Sequence, residues 1–245
     1  MKIKHLITGL ALSLSFVAAN ADDLALGKDY TVLQKTIPQL NKDKIEVLEF
    51  YAYTCIHCKN LEKELAPKVQ NLPTDTYFRP VHIVWDESYT NLARISAAVT
   101  SSGTKKDANP AIFSAIFDKN VDLRNPTVFK TWVNTQGAWG KKMLEAYNSP
   151  TNVAEAQAME RMTLEYNIDS TPQVIVGGKY RIKSSGNYAQ DMQTLDKLIA
   201  KVRQERKMPA PSAAKLIEQK PAAEKPKKAA FLGTGALLAA KANAK

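Results

Sequence analysis

The stretch VLEFYAYTCIHCKNLEKEL, from Val47 to Leu65, limits the choice of fold more than any other part of the chain, because it runs a buried strand into an amphipathic helix through Cys55-Ile56-His57-Cys58. From Ile45 to Tyr51 the run is mostly apolar, as in a strand covered on both faces, and Glu49 lies inside it. After the motif, Cys58, Leu61 and Leu65 recur at helical spacing on one face, with Lys59, Glu62 and Lys63 on the others. The dithiol is therefore expected at a helix N-terminus. These two cysteines are the only ones in the chain.

At that position the free N–H groups and the helix dipole favour negative charge on the first cysteine, so Cys55 is the candidate nucleophile. Cys58, one turn further in on the apolar face, is shielded and placed to attack a mixed disulfide formed at Cys55. His57 can donate a hydrogen bond or partial positive charge to the thiolate, which stabilises the reduced form and makes the disulfide more oxidising. A CxxC can also be half of a zinc site. Zinc normally takes four ligands, and besides His57 the sequence holds only His5 and His82, so redox chemistry is the expectation and no metal or cofactor is called for.

Met1 to Ala21 has the pattern of a secretory signal peptide: Lys2 and Lys4, an apolar core from Leu6 to Ala18, then Ala19-Asn20-Ala21 as an A-x-A site with cleavage after Ala21. The core is shorter than the roughly 20 residues a spanning helix needs. An exported protein whose only cysteines form CxxC works where disulfides persist, which makes oxidation a more natural task than cytosolic reduction. The formal charge of +10 suggests nucleic acid, yet +6 of it lies in residues 207–245 and +2 in the signal peptide. The remaining +2 over residues 22–206 is an ordinary globular balance, which argues against a nucleic-acid partner.

Residues 22–206 suit one domain with a helical insertion over about 88–166. Tyr30 to Leu33 reads as an edge strand, and Tyr77 to Val84 as a second main strand in which Pro80 marks an interruption or edge. Pro67 is expected to kink or end the motif helix. His82 reads as a satisfied or exposed strand histidine, since nothing near it in sequence supplies a partner. Helical periodicity fills the insertion, and Asn109-Pro110, Asn125-Pro126 and Ser149-Pro150 are expected at helix starts. Its apolar residues read as core, with Trp132 and Trp139 also candidates for a substrate surface. Gln173 to Val176, Gly177-Gly178 and Lys179 to Ile182 form a β-hairpin pattern, followed by a helix from Tyr188 to Arg206. Thr171-Pro172 before the hairpin is either edge punctuation or a cis peptide that sets the Thr171 backbone beside the sulfurs.

This order of strand, CxxC helix, strand, helical insert, Thr-Pro hairpin and terminal helix resembles the DsbA family of thiol oxidases over residues 28–206. The resemblance implies a thioredoxin-like α/β fold with an inserted helical subdomain and a periplasmic dithiol oxidase. Cys55 then matches the nucleophile, Cys58 the resolving cysteine, His57 the thiolate-stabilising histidine, Pro172 the cis-proline and Thr171 its neighbour. Glu49 matches a buried acid that serves as proton acceptor for the leaving thiol. The implied partners are reduced exported proteins and a DsbB-like membrane oxidase, with the enzyme a monomer. A disulfide isomerase or reductase, and a non-catalytic peptide-binding chaperone, are the alternative readings. Ile56 departs from the proline of the best-known members, which frees φ and keeps an N–H beside the sulfur. The tail over 207–245 departs too: its Ala, Pro and Lys content reads as a disordered linker, with a short apolar patch from Ala229 to Ala240 suited at most to weak contact with a membrane surface.

Overall fold

The computed structural model describes residues 24–211. The expected signal peptide, and the tail beyond its first few residues, lie outside them.

The strand read at Ile45–Tyr51 (β2) forms over those residues and is buried along its whole length. It stands near the centre of a five-stranded sheet of order β1-β5-β4-β2-β3. The other strands are β1 (Tyr30–Val32), β3 (Thr76–His82), β4 (Gln173–Val176) and β5 (Tyr180–Ile182). Only β2 and β3 run parallel; β4 pairs antiparallel with β2 and with β5, and β1 closes the edge against β5. Alternation along β2 explains its apolar run. Ile45 and Val47 pack with Leu61 and Leu65 of helix α1 (Ile56–Gln70) and Leu195, Leu198, Ile199 and Val202 of α7 (Tyr188–Glu205), whereas Leu48 and Phe50 pack with Ile37, Val81, Ile83 and Ile168 on the other side.

Glu46 escapes the sequence reading. It is fully buried in β2 and stays tolerable because Arg79 pairs with it at 2.8 Å and the Tyr77 hydroxyl donates to it at 2.6 Å. Pro80 sits opposite Glu49 in the edge strand β3, where a missing N–H does not interrupt a central ladder.

Between β3 and β4 lie α2 (Thr90–Ser102), α3 (Lys105–Phe117), α4 (Pro126–Asn134), α5 (Gly137–Tyr147) and α6 (Asn152–Glu165). They enclose their own core of Leu92, Ile95, Ile112, Phe129, Met143 and Tyr147, which Tyr51 and Tyr53 join from the end of β2. The whole is the α/β thioredoxin-like arrangement with a helical insertion.

Proline behaves as expected at one of three helix starts. Asn125 caps α4 through N–H groups of Thr127 and Val128, with Pro126 in the first turn. Pro110 instead lies inside α3, which begins five residues earlier, and Ser149-Pro150 lies in the turn ahead of α6. Pro67 likewise does not end α1, which continues to Gln70. Each interior proline removes one backbone rung, and packing of the helix around it carries the remainder. After Pro67 the Asn71 side chain donates to the Pro67 carbonyl at 2.8 Å.

Candidate active site

Strand β2 delivers the chain through Ala52, Tyr53 and Thr54 to Cys55, which caps α1 with extended backbone (φ −96°, ψ 114°). The Cys55 N–H bonds the Ala52 carbonyl at 3.1 Å, and its sulfur accepts the Cys58 N–H at 3.2 Å. Both cysteines are free thiols, Cys55 half-buried and Cys58 buried. The Cys55 sulfur lies 3.5 Å from the Thr171 carbonyl oxygen, to which it donates while protonated, and the Thr171-Pro172 peptide is cis. The hairpin of β4 and β5 therefore does set Thr171 beside the sulfur. Gly177 and Gly178 both take positive φ to make its turn.

The two thiols are pushed in opposite directions. A hydrogen bond from Cys58 does most to bring the Cys55 thiol down to about 6, with the Thr171 side chain and the backbone N–H groups of Cys58 and His57 adding to it against the cost of burial. Burial drives Cys58 far above the ordinary thiol range, and the hydrogen bond to Cys55 and the charge of Glu49 push the same way. One sulfur is an anion at neutral pH and the other a proton carrier.

Beneath them Glu49 is 3% exposed, and burial raises its carboxyl to about 8; Lys105 partly offsets this, while Glu62 and Cys55 reinforce it. Glu49 thus keeps its proton at neutral pH.

The His57 backbone N–H is among the groups that lower the Cys55 thiol. The His57 ring stands 3.3 Å from the Tyr188 hydroxyl, Nδ1 to Oη, at the start of α7.

His82 has the partners that its sequence neighbourhood lacked. It is fully buried, its Nε2 accepts the Tyr53 N–H at 3.0 Å, and its Nδ1 lies 2.7 Å from the Ile83 carbonyl. Because Nε2 must accept, Nδ1 carries the proton and donates. Burial holds this imidazole down at about 4. It clamps the backbone two residues ahead of Cys55, a role that pairing across strands creates.

Trp132 and Trp139 stack edge to face at 6.0 Å against the helical core. The exposed indole that sequence reasoning passed over is Trp85: it is 41% exposed, and its N–H donates to the Ile168 carbonyl at 2.5 Å, just before the Thr171-Pro172 loop. Ile56, the residue after Cys55, is 46% exposed. Among the described residues no group of three or more His, Cys, Asp or Glu side chains could hold a metal ion.

No protein-family model matches the chain. The thiol:disulfide interchange protein DsbA of Pseudomonas aeruginosa is 30% identical over 193 residues, which span 78% of this chain and 92% of that protein. The chain belongs to the DsbA family. It is a thiol:disulfide oxidoreductase. Solved DsbA structures agree in fold: the oxidoreductase NmDsbA1 from N. meningitidis superposes with a TM-score of 0.73 at 43% identity, covering 75% of this chain and 96% of that one. NmDsbA3 from Neisseria meningitidis gives 0.68 at 46% identity, covering 75% of this chain and all of the other. Within the DsbA frame, a dithiol between a strand end and a helix start is held against a Thr-Pro loop from a separate hairpin.

Proposed function

We propose that the Cys55–Cys58 pair, when oxidised, passes its disulfide to newly exported proteins in the periplasm. The observation that carries this reading is the contrast within the pair: Cys55 is low and accessible, Cys58 buried and held as a thiol. A substrate thiolate attacks the Cys55 sulfur, a new S–S bond forms there, and the Cys55–Cys58 bond breaks with its electron pair leaving on Cys58. Cys58 takes a proton, for which the protonated Glu49 carboxyl is the buried donor. A second substrate thiolate then attacks the substrate sulfur of the mixed disulfide and expels Cys55 as the better leaving thiolate. The substrate gains a disulfide and the enzyme keeps the two electrons.

Thr171 and Pro172 supply a backbone edge beside the sulfur, and an extended substrate segment adds to it as a strand does. Reoxidation falls to a membrane oxidase of the DsbB type. In that step the Cys55 thiolate attacks the oxidase's disulfide, Cys58 then attacks the Cys55 sulfur of the mixed disulfide and releases the oxidase's thiolate, and Glu49, as the carboxylate left by its donation, takes up the proton that Cys58 loses. The segment from Met1 to Ala21, read as a signal peptide, supports the periplasmic setting.

Trapping tests the assignment. Cys58→Ala accumulates substrates covalently on Cys55, whereas Cys55→Ala accumulates almost none. Equal accumulation by both variants overturns it. Equilibration with glutathione tests the direction of transfer, since a potential as low as that of thioredoxin is incompatible with an oxidase.

A further inference from the structure

Helices α1 and α3 lie side by side and run in opposite directions. Lys59, near the start of α1, bridges to Asp118 at the end of α3 at 2.6 Å, and Glu62, further along α1, accepts from Asn109 nearer the start of α3 at 2.8 Å. Between them runs a groove of about 580 Å³ whose walls include Ala66, Val69, Pro110 and Phe113. Its volume is that of a small-molecule site, and neither cysteine nor the Thr171-Pro172 pair lines it. We propose that this groove binds a long-chain carboxylate, with the apolar chain laid along α1 and the carboxylate received by Lys106 at the start of α3, in the field of Lys63.

Charge decides the sign of the occupant. Lys59, Lys63, Lys105 and Lys106 line the groove against Glu62 and Asp118, four cations to two acids. Both acids are engaged: Asp118 holds Lys59, and Glu62 holds Asn109 and, at 4.0 Å, Lys105. The Lys105 ammonium is buried 4.1 Å over the Phe78 ring, so its charge is directed inward. Lys63 and Lys106 are exposed and make no ion pair among the described residues, which leaves the mouth cationic over an apolar floor. The start of α3 adds to this. The Thr104 hydroxyl is paired with that of Ser102 at 2.8 Å and gives the helix no side-chain cap, so the positive end of the dipole stands beside Lys106. Asp107, the acid of that turn, is exposed and does not line the groove.

The walls select among anions. Both are helices whose backbone groups bond within the helix, so an extended peptide laid in the groove finds no main-chain partner. An alkyl chain needs none, and each methylene it buries favours binding roughly fourfold. The chain's own apolar run from Ala229 to Ala240 is flanked by Lys227, Lys228 and Lys241, which carry the wrong sign for a mouth set with unpaired lysines. An anionic head on a single apolar chain satisfies both the floor and the rim.

The test titrates dodecanoate, kept below its micelle-forming concentration, into the full chain by calorimetry. One dodecanoate binds per chain, and decanoate binds roughly tenfold more weakly because two methylenes are lost. Dodecyltrimethylammonium, with the same chain and the opposite charge, binds at least about tenfold more weakly than dodecanoate. Lys106→Glu weakens dodecanoate roughly tenfold, and adding Lys63→Glu weakens it further. Both are exposed changes that leave the core intact, so the loss is not one of folding. NMR of the unaltered protein places the dodecanoate-induced shifts at Ala66, Val69 and Phe113. No binding, equal binding of the ammonium amphiphile, or full affinity in the double variant overturns the inference. So do shifts centred on Thr171 and Ile56, which would put the amphiphile at the exchange site, and displacement of dodecanoate by a synthetic peptide of residues 225–241, which would make the chain's own tail the occupant.

Discussion

At the scale of single residues, the site works by separating groups that would otherwise titrate alike. Cys55 falls to about 6 in the fold, against an unfolded thiol near 8.5. A depressed pKa contributes stability that is complete above the unfolded value and lost as pH falls through the folded one. The stability advantage of the reduced over the oxidised form should therefore grow from about pH 6 to about pH 8.5. Each unit is worth about 1.4 kcal/mol before solvent screening at a half-buried sulfur reduces it. Above about pH 8.5 the advantage declines, because Cys58 stays a thiol in the fold while the unfolded chain ionises. The disulfide itself closes a very short loop, which limits its opposing entropic contribution. Urea melts of both redox forms across this range check the prediction, and an oxidised form more stable at neutral pH contradicts it.

Glu49 acts with the opposite sign. Its raised carboxyl lowers the stability of both redox forms as pH climbs from the unfolded carboxylate value, about 4.3, to about 8. Glu49→Gln should flatten that decline while slowing substrate oxidation on the order of tenfold, below the usual span for acid–base groups because thiolates leave readily. Stopped-flow rates against pH separate the two effects: a variant as fast as the parent, with the same profile, ends the proton role.

At the scale of elements, the hairpin that carries Thr171-Pro172 depends on its turn. Gly178 has φ +69°, and a Cβ there would stand 2.0 Å from the Ile37 carbonyl oxygen, the backbone of a segment whose own N–H bonds back to Gly178 at 2.8 Å. Gly186 has φ +82°, and a Cβ there would meet nothing within 4 Å. Gly178→Ala should cost more than ~2 kcal/mol and Gly186→Ala about 1 kcal/mol, since only the first adds a backbone clash to the positive-φ penalty. Thermal melts of the pair measure the difference. In α1, Leu65 is fully buried between sheet and helices, and Leu65→Ala should cost about 2–5 kcal/mol depending on how far the site collapses.

At the scale of the whole molecule, the end of β2 is tied to the helical insertion by side chains just before the dithiol. The Tyr53 hydroxyl donates to Asn109 at 2.8 Å, Asn109 donates to Glu62 at 2.8 Å, and the Tyr51 hydroxyl meets Ser96 at 2.9 Å. Tyr53→Phe leaves the Asn109 oxygen buried without that donor and should cost about 1–3 kcal/mol. Urea denaturation gives the loss, and trapping by the same variant shows whether the dithiol keeps its geometry.

The sequence by itself determined the frame: the strand Ile45–Tyr51, the buried face Cys58, Leu61 and Leu65, the Gly177-Gly178 hairpin and the CxxC at a helix start. Those features rest on short-range periodicity and turn chemistry, which are properties of neighbouring residues. It also singled out Glu49 and Thr171-Pro172, the latter now seen against Cys55. Tertiary structure alone decided what His57, His82, Tyr188 and Trp85 touch, and that Pro67 and Pro110 sit inside helices. His82 meets Tyr53 across 29 residues and His57 meets Tyr188 across 131. Such contacts follow from strand pairing and helix packing, so no local pattern encodes them. The placement of Glu49 under the sulfurs is of the same kind: a buried carboxyl acquires its raised pKa from the low-dielectric surroundings that only the assembled sheet and helices create.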